Sequence, residues 1–114
     1  MAYDEQFAQR IRELVAGEEG LTEQRMFGGL AFLVDGNMAI AASGEGGLLV
    51  HVDPAESDAL IAGGDANPME MRGRQMAGWL RVDPDDVAGD GQLARWVDVG
   101  ISHARSLPAK RPRR

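Results

Sequence analysis

The sequence predicts an α+β domain: an N-terminal helix, an antiparallel β-meander, a second helix, a further strand and a long C-terminal helix. Three observations carry that prediction. Apolar residues between positions 3 and 16 recur at helical spacing, positions 21–52 break into four short apolar segments parted by turn sequences, and positions 93–107 return to steps of three and four. With 114 residues, 44% of them hydrophobic and 26% charged, the chain reads as one globular domain over residues 1–107 followed by a tail at 108–114.

The first helix is expected over residues 3–16. Tyr3, Phe7, Ile11, Leu14 and Val15 share a face, Asp4, Glu5, Gln9, Arg10, Arg12 and Glu13 take the others, and Gly17 supplies the stop. From Leu21 the period becomes that of strands. LTEQRMF, LAFLV, NMAIAAS and GLLVHV are punctuated by Gly28-Gly29, Asp35-Gly36-Asn37 and residues 43–46. Asp35-Gly36 marks a tight hairpin, because both positions tolerate positive φ and apolar runs flank them. Along the strands Leu30, Phe32 and Val34 oppose Ala31 and Leu33, and Leu48, Val50 and Val52 oppose Leu49 and His51. Both faces are therefore partly apolar, and helices or a partner chain are expected to cover part of each.

Two helix starts share one grammar. In VHVDPAES and LRVDPDDV a strand ends at valine, aspartate caps, proline takes the first helical position and acidic residues follow near the positive helix end. The first of these helices runs through Leu60 and Ile61 to Gly63-Gly64; the second is a single turn, interrupted at Gly89-Asp90-Gly91. Asp90 is a further cap candidate. Beyond it, Leu93, Trp96, Val97, Gly100, Ile101, Ala104 and Leu107 form the strongest helical stripe in the chain. Gly100 lowers helix propensity there by ~1 kcal/mol relative to alanine but lets another backbone come close.

Charge narrows the choice of partner. The formal net charge is −6, of which Lys110, Arg111, Arg113 and Arg114 contribute +4, leaving −10 on residues 1–109. Such a body repels phosphate backbones, so nucleic acid is a less favoured partner than another protein, and the tail would have to recruit it. The chain has no cysteine. This excludes disulfides, thiolate metal sites and cysteine nucleophiles, and fits the reducing cytoplasm. An acidic start where a secretory signal would be basic, and the lack of an apolar run near ~20 residues, predict neither export nor a membrane span.

Candidate chemistry fails on context. Gly44, Gly46 and Gly47 lead into a strand, whereas a phosphate cradle needs a following helix N-terminus. His51 and His103 are far apart and lack an i, i+4 partner, which predicts a partly buried strand histidine and a surface helix histidine. No serine sits in a GxSxG setting, and Glu18-Glu19 and Asp85-Asp86 lack calcium-loop spacing. No catalytic residue, metal or cofactor is therefore expected. Met69, Met71 and Met76 read as core filling around RGRQ. Arg72 and Arg74, bracketing Gly73 on a loop, either clamp a carboxylate, phosphate or acidic surface, or pair with the acidic body.

RMFGGLAFLVDGNMAIA, PMEMRGRQMAGWLRV and the helix near Leu93 resemble, in motif and order, the TfoX N-terminal domain family, also called TfoX/Sxy-like. The likeness extends over residues 3–107, with MFGG followed by a strand and a DGNM hairpin as its most specific part. It implies an α+β fold related to the YjbR-like and type III secretion chaperone-like domains. Full-length TfoX proteins are regulators of competence gene expression with a second, C-terminal domain. These 114 residues lack that domain, so the resemblance is to a stand-alone N-terminal domain. It implies no catalytic residue. Gly28-Gly29 then reads as a bend or bulge with Met26 and Phe27 packed beneath it, or as a ligand loop exposing backbone N–H groups. The function expected is a non-enzymatic, cytoplasmic interaction or regulatory module, with Arg25, Phe27, Gly28, Gly29, Arg72 and Arg74 as candidate partner contacts. The alternative is a nucleic-acid accessory protein using the basic tail and the Arg72, Arg74 loop.

Overall fold

A computed structural model describes residues 4–108 apart from 27, 45, 65 and 72; the side chains of 26, 70, 71 and 74–77 also lie outside that description. The elements run α1 (Glu5–Val15), β1 (Leu21–Met26), β2 (Gly29–Val34), β3 (Asn37–Ala42), β4 (Leu48–His51), α2 (Pro54–Ala62), β5 (Asn67–Met71), β6 (Arg74–Val82), a 3₁₀ turn (Pro84–Val87) and α3 (Asp90–Ser106). The α+β class and the meander agree with expectation. The six strands form one antiparallel sheet in the order β1-β2-β3-β4-β6-β5. One strand was expected after the second helix and two are present. Residues 67–71 hide their strand character because Pro68 interrupts the run and the register against β6 shifts between Pro68 and Glu70.

Local chemistry sets the element ends. Asp35 (φ 52°) and Gly36 (φ 87°) are both left-handed and join Val34 to Asn37 in the two-residue hairpin expected of this dipeptide. Asp4 and Asp53 cap α1 and α2, accepting from the Gln6 N–H and the Ala55 N–H at 2.9 Å in each case. Asp83 occupies the capping position of the 3₁₀ turn without a side-chain bond. The cap of α3 is Gly89 and not Asp90: the Gly89 N–H donates to Gln92 Oε1 at 3.1 Å, leaving Asp90 as the first helical residue. At the end of α1, Ala16 holds the C-cap in right-handed geometry, so the helix stops without a left-handed Gly17.

The main core lies between the sheet and the helices. Phe32, Ile40, Leu48, Val50, Leu80 and Val82 meet Ile11 and Val15 of α1 and Leu93, Trp96, Val97, Ile101 and Ala104 of α3, with Leu60 and Ile61 of α2 half-buried against them. Every expected member of the α3 stripe is buried except Leu107, which caps the helix and is half-buried. Leu14 departs from expectation, because α1 buries the line Ala8, Ile11, Val15 and turns Leu14 out to 43% exposure. Tyr3, assigned to the same face, lies outside the described residues.

Strand faces divide as the alternation predicts. Ala31, Leu33, Ala41, Leu49 and Met69 form a second cluster on the opposite face, with Met38 and Trp79 packed at its side. Helices or a partner chain were expected to cover part of each face; α1, α2 and α3 all pack on the first. The second closes on itself because two of its members are alanines and β5 and β6 supply Met69 and Trp79 from the same sheet. Met69 is core filling, as the sequence suggested; the side chains of Met71 and Met76 lie outside the described residues.

Gly100 fixes how closely α3 sits. A Cβ there would lie 2.5 Å from the Ala39 carbonyl oxygen and 2.6 Å from Ile40 Cγ2. Gly100→Ala should therefore destabilise the domain by ~1 to 3 kcal/mol despite its better helix propensity. Gly91→Ala, in the first turn of the same helix with nothing within 4 Å of the added carbon, should stabilise by up to ~1 kcal/mol. Urea denaturation of both checks the sign of each. Trp96, 3% exposed, should cost ~3 to 5 kcal/mol on Trp96→Ala in the same assay.

Candidate interaction surface

The residues singled out from sequence fall at two separate edges of the sheet. Arg25 is exposed on β1, opposite Leu30 of β2. Met26 pairs with Gly29, and Gly28 between them stands at φ 72°; Phe27 lies outside the described residues. A Cβ on Gly29 would lie 1.9 Å from the Ala42 carbonyl oxygen, and one on Gly44 would lie 2.2 Å from the Gly28 carbonyl oxygen. The double glycine thus turns a hairpin and lets two backbone segments touch. At the far edge, Met71 pairs with Arg74, which puts Gly73 (φ 78°) in the turn between β5 and β6 and Arg74 inside β6, where a loop was expected. Arg72, the Arg74 side chain, Lys110, Arg111, Arg113 and Arg114 lie outside the described residues. The chain reaches the tail at Pro108, whose carbonyl accepts from Asn37 Nδ2 at 2.9 Å.

The fold also assembles a group that the sequence kept apart. His51, at the end of β4, lies opposite Trp79 of β6 and stacks on it, with ring centroids 4.6 Å apart and planes 17° from parallel. His103 of α3 meets His51 edge-on at 4.7 Å and 85°. His51 Nδ1 lies 2.9 Å from the Met38 carbonyl. A carbonyl can only accept, so Nδ1 carries the proton. His103 follows Gly100 by three residues, so the close seat of α3 brings it over the strand end.

Beside this stack, α2 and α3 enclose an open cleft of about 380 Å³. Val52, Leu60 and Val99 give it an apolar floor, while Asp53, Glu56 and Asp98 supply carboxylates and Ser102, Ser106 and His103 complete the lining. Among the described residues neither lysine nor arginine lines it. An ammonium or guanidinium group would find opposite charge there, with apolar surface for its aliphatic stem. The Ser106 hydroxyl donates to the His103 backbone carbonyl at 2.6 Å, which commits its proton away from the imidazole.

A second cavity, of about 440 Å³, lies between the start of α1, the loop after β3 and the 3₁₀ turn. Among its described lining residues Arg10 is the one basic group, and it already bonds the Ala88 carbonyl and Asp90, each at 3.1 Å. That cation ties α1 to the start of α3. Likewise Arg105 holds the end of α3 to the α1–β1 connection, bonding Glu18 at 2.6 Å and the Glu19 carbonyl at 3.2 Å. The Glu18 hydrogen bond raises the Arg105 guanidinium further above its ordinary value, against a smaller opposing effect of burial. Among the described residues no group of three or more histidines and carboxylates converges as a metal site, and no helix is long and apolar enough to cross a membrane.

In comparison with known proteins, the family model described as TfoX N-terminal domain matches residues 13–104. No curated protein and no solved structure matches the chain.

The glycine geometry separates a structural turn from a ligand loop. Gly29→Ala should destabilise by about 3 kcal/mol or more, since backbone stands where the methyl must go. Gly28→Ala, with open space around it but φ at 72°, should cost only ~1 kcal/mol. Thermal unfolding of the two variants checks this order; equal, negligible losses would remove the packing explanation.

Proposed function

The chain belongs to the TfoX N-terminal domain family, and on that premise we propose that it is a non-enzymatic interaction module that docks a basic segment of another protein between α2 and α3. The observation that carries this reading is the lining of the cleft: three carboxylates around an apolar floor, with no lysine or arginine among the described lining residues. A lysine or arginine of a partner would lay its stem on Val52, Leu60 and Val99 and its charged head among Asp53, Glu56 and Asp98. Capture and release of such a segment would give the module its regulatory effect. A cysteine-free chain suits the reducing cytoplasm, which supports that location.

Charge also argues for protein over nucleic acid. Residues 1–109 carry −10, so an approaching phosphate backbone meets repulsion over most of the surface. Steering by this field would speed encounter with a basic partner and would weaken as salt rises.

Titration with an arginine-rich peptide, followed by fluorescence anisotropy at 50 and 200 mM salt, tests the proposal. Binding should be weaker at the higher salt and fall at least about tenfold in a Glu56→Lys, Asp98→Lys double variant. Removing residues 108–114 should leave peptide binding intact. A labelled duplex that binds more tightly than the peptide, or peptide binding indifferent to the two reversals, would reject the cleft as the docking site.

A further inference from the structure

The two edges of the sheet are defended differently. At one, β5 carries Pro68 and a register shift, both of which spoil an edge for pairing. At the other, β1 pairs with β2 through six unbroken positions, contains no proline, and exposes residues 22–25. The free side of β1 is a regular template for another strand.

Which backbone groups face outward follows from one bond. The Asp35 N–H donates to the Gly20 carbonyl at 3.0 Å, making Gly20 and Asp35 a hydrogen-bonded pair just before Leu21 and Val34. Alternation along an antiparallel ladder then turns Thr22, Gln24 and Met26 toward β2 and leaves the N–H and C=O of Leu21, Glu23 and Arg25 pointing outward. The outward positions carry one negative and one positive side chain, two residues apart.

We propose that β1 pairs antiparallel with β1 of a second copy of this chain, about a two-fold axis at Gln24. In that register Glu23 faces Arg25 of the other copy and Arg25 faces its Glu23, so outward backbone groups meet outward groups and opposite charges meet on one face. Sliding by one pair in either direction would set Glu23 against Glu23 or Arg25 against Arg25, which like-charge repulsion disfavours. Charge thus selects both the partner and the register. Arg12, already bonded to Glu23 at 2.9 and 3.0 Å, holds that carboxylate in place above the strand. The contact joins two six-stranded sheets into one and is small, so association is reversible and depends on concentration.

Sedimentation equilibrium of the full 114-residue chain reads the self-association. Arg25→Glu alone and Glu23→Arg alone should each weaken the dimer at least about tenfold, since symmetry counts every reversal twice, and an equimolar mixture of the two should restore it. Arg25→Lys should keep it, and circular dichroism should show all variants folded. The register is read separately: in this cysteine-free chain Gln24→Cys should give a disulfide-linked dimer under oxidised glutathione, whereas Thr22→Cys should not. A chain that remains monomeric at about 1 mM, a dimer indifferent to Arg25→Glu, or equal cross-linking at positions 22 and 24 would overturn the proposal.

Discussion

The close approach between the sheet and α3, where Gly100 rides over the Ala39 carbonyl, is the constraint on which the remaining arrangement depends. A side chain there would hold α3 away from β3, and Leu93, Trp96, Val97, Ile101 and Ala104 would lose close packing together. The same seat delivers His103 to His51 and sets the wall that α3 presents to α2. Core and cleft are thus consequences of one backbone contact. A residue that weakens the helix it belongs to is retained because the tertiary contact outweighs the local preference.

Around that contact, polar ties place the helix ends. Arg10 bonds Ala88 and Asp90 at the start of α3, and Arg105 bonds Glu18 and Glu19 near its end. Both are largely open to solvent, so each adds little free energy on its own. Their effect is positional: they fix α1 against α3 at two places while apolar burial supplies the driving force.

Legibility from the sequence followed the range of the interaction. The Asp35-Gly36 hairpin, the Asp53-Pro54 helix start and the Leu93–Ala104 stripe were readable because each is decided within a few residues. The two strand faces were readable because the pleat has a period of two. Leu14 was misassigned: apolar spacing admits more than one stripe, and only the position of the sheet chose the line through Ala8. β5 was missed because Pro68 masks it. The meeting of His51, Trp79 and His103 left no local signal, for it arises where a strand end, a neighbouring strand and a crossing helix coincide. The cleft carboxylates come from α2, its cap and α3, and in sequence they look like solvated helix faces.

Imidazole proton shifts in the wild type and in Gly100→Ala give the most direct test that one contact sets both core and cleft. In the wild type, stacking on Trp79 and edge contact between the histidines should move the His51 and His103 ring protons away from free-imidazole values. The added methyl should lift α3 and return the His103 resonances toward those values, while His51 keeps its shift from Trp79. Loss of stability with the His103 shifts unchanged would contradict the account, since the cleft would then be set independently of Gly100.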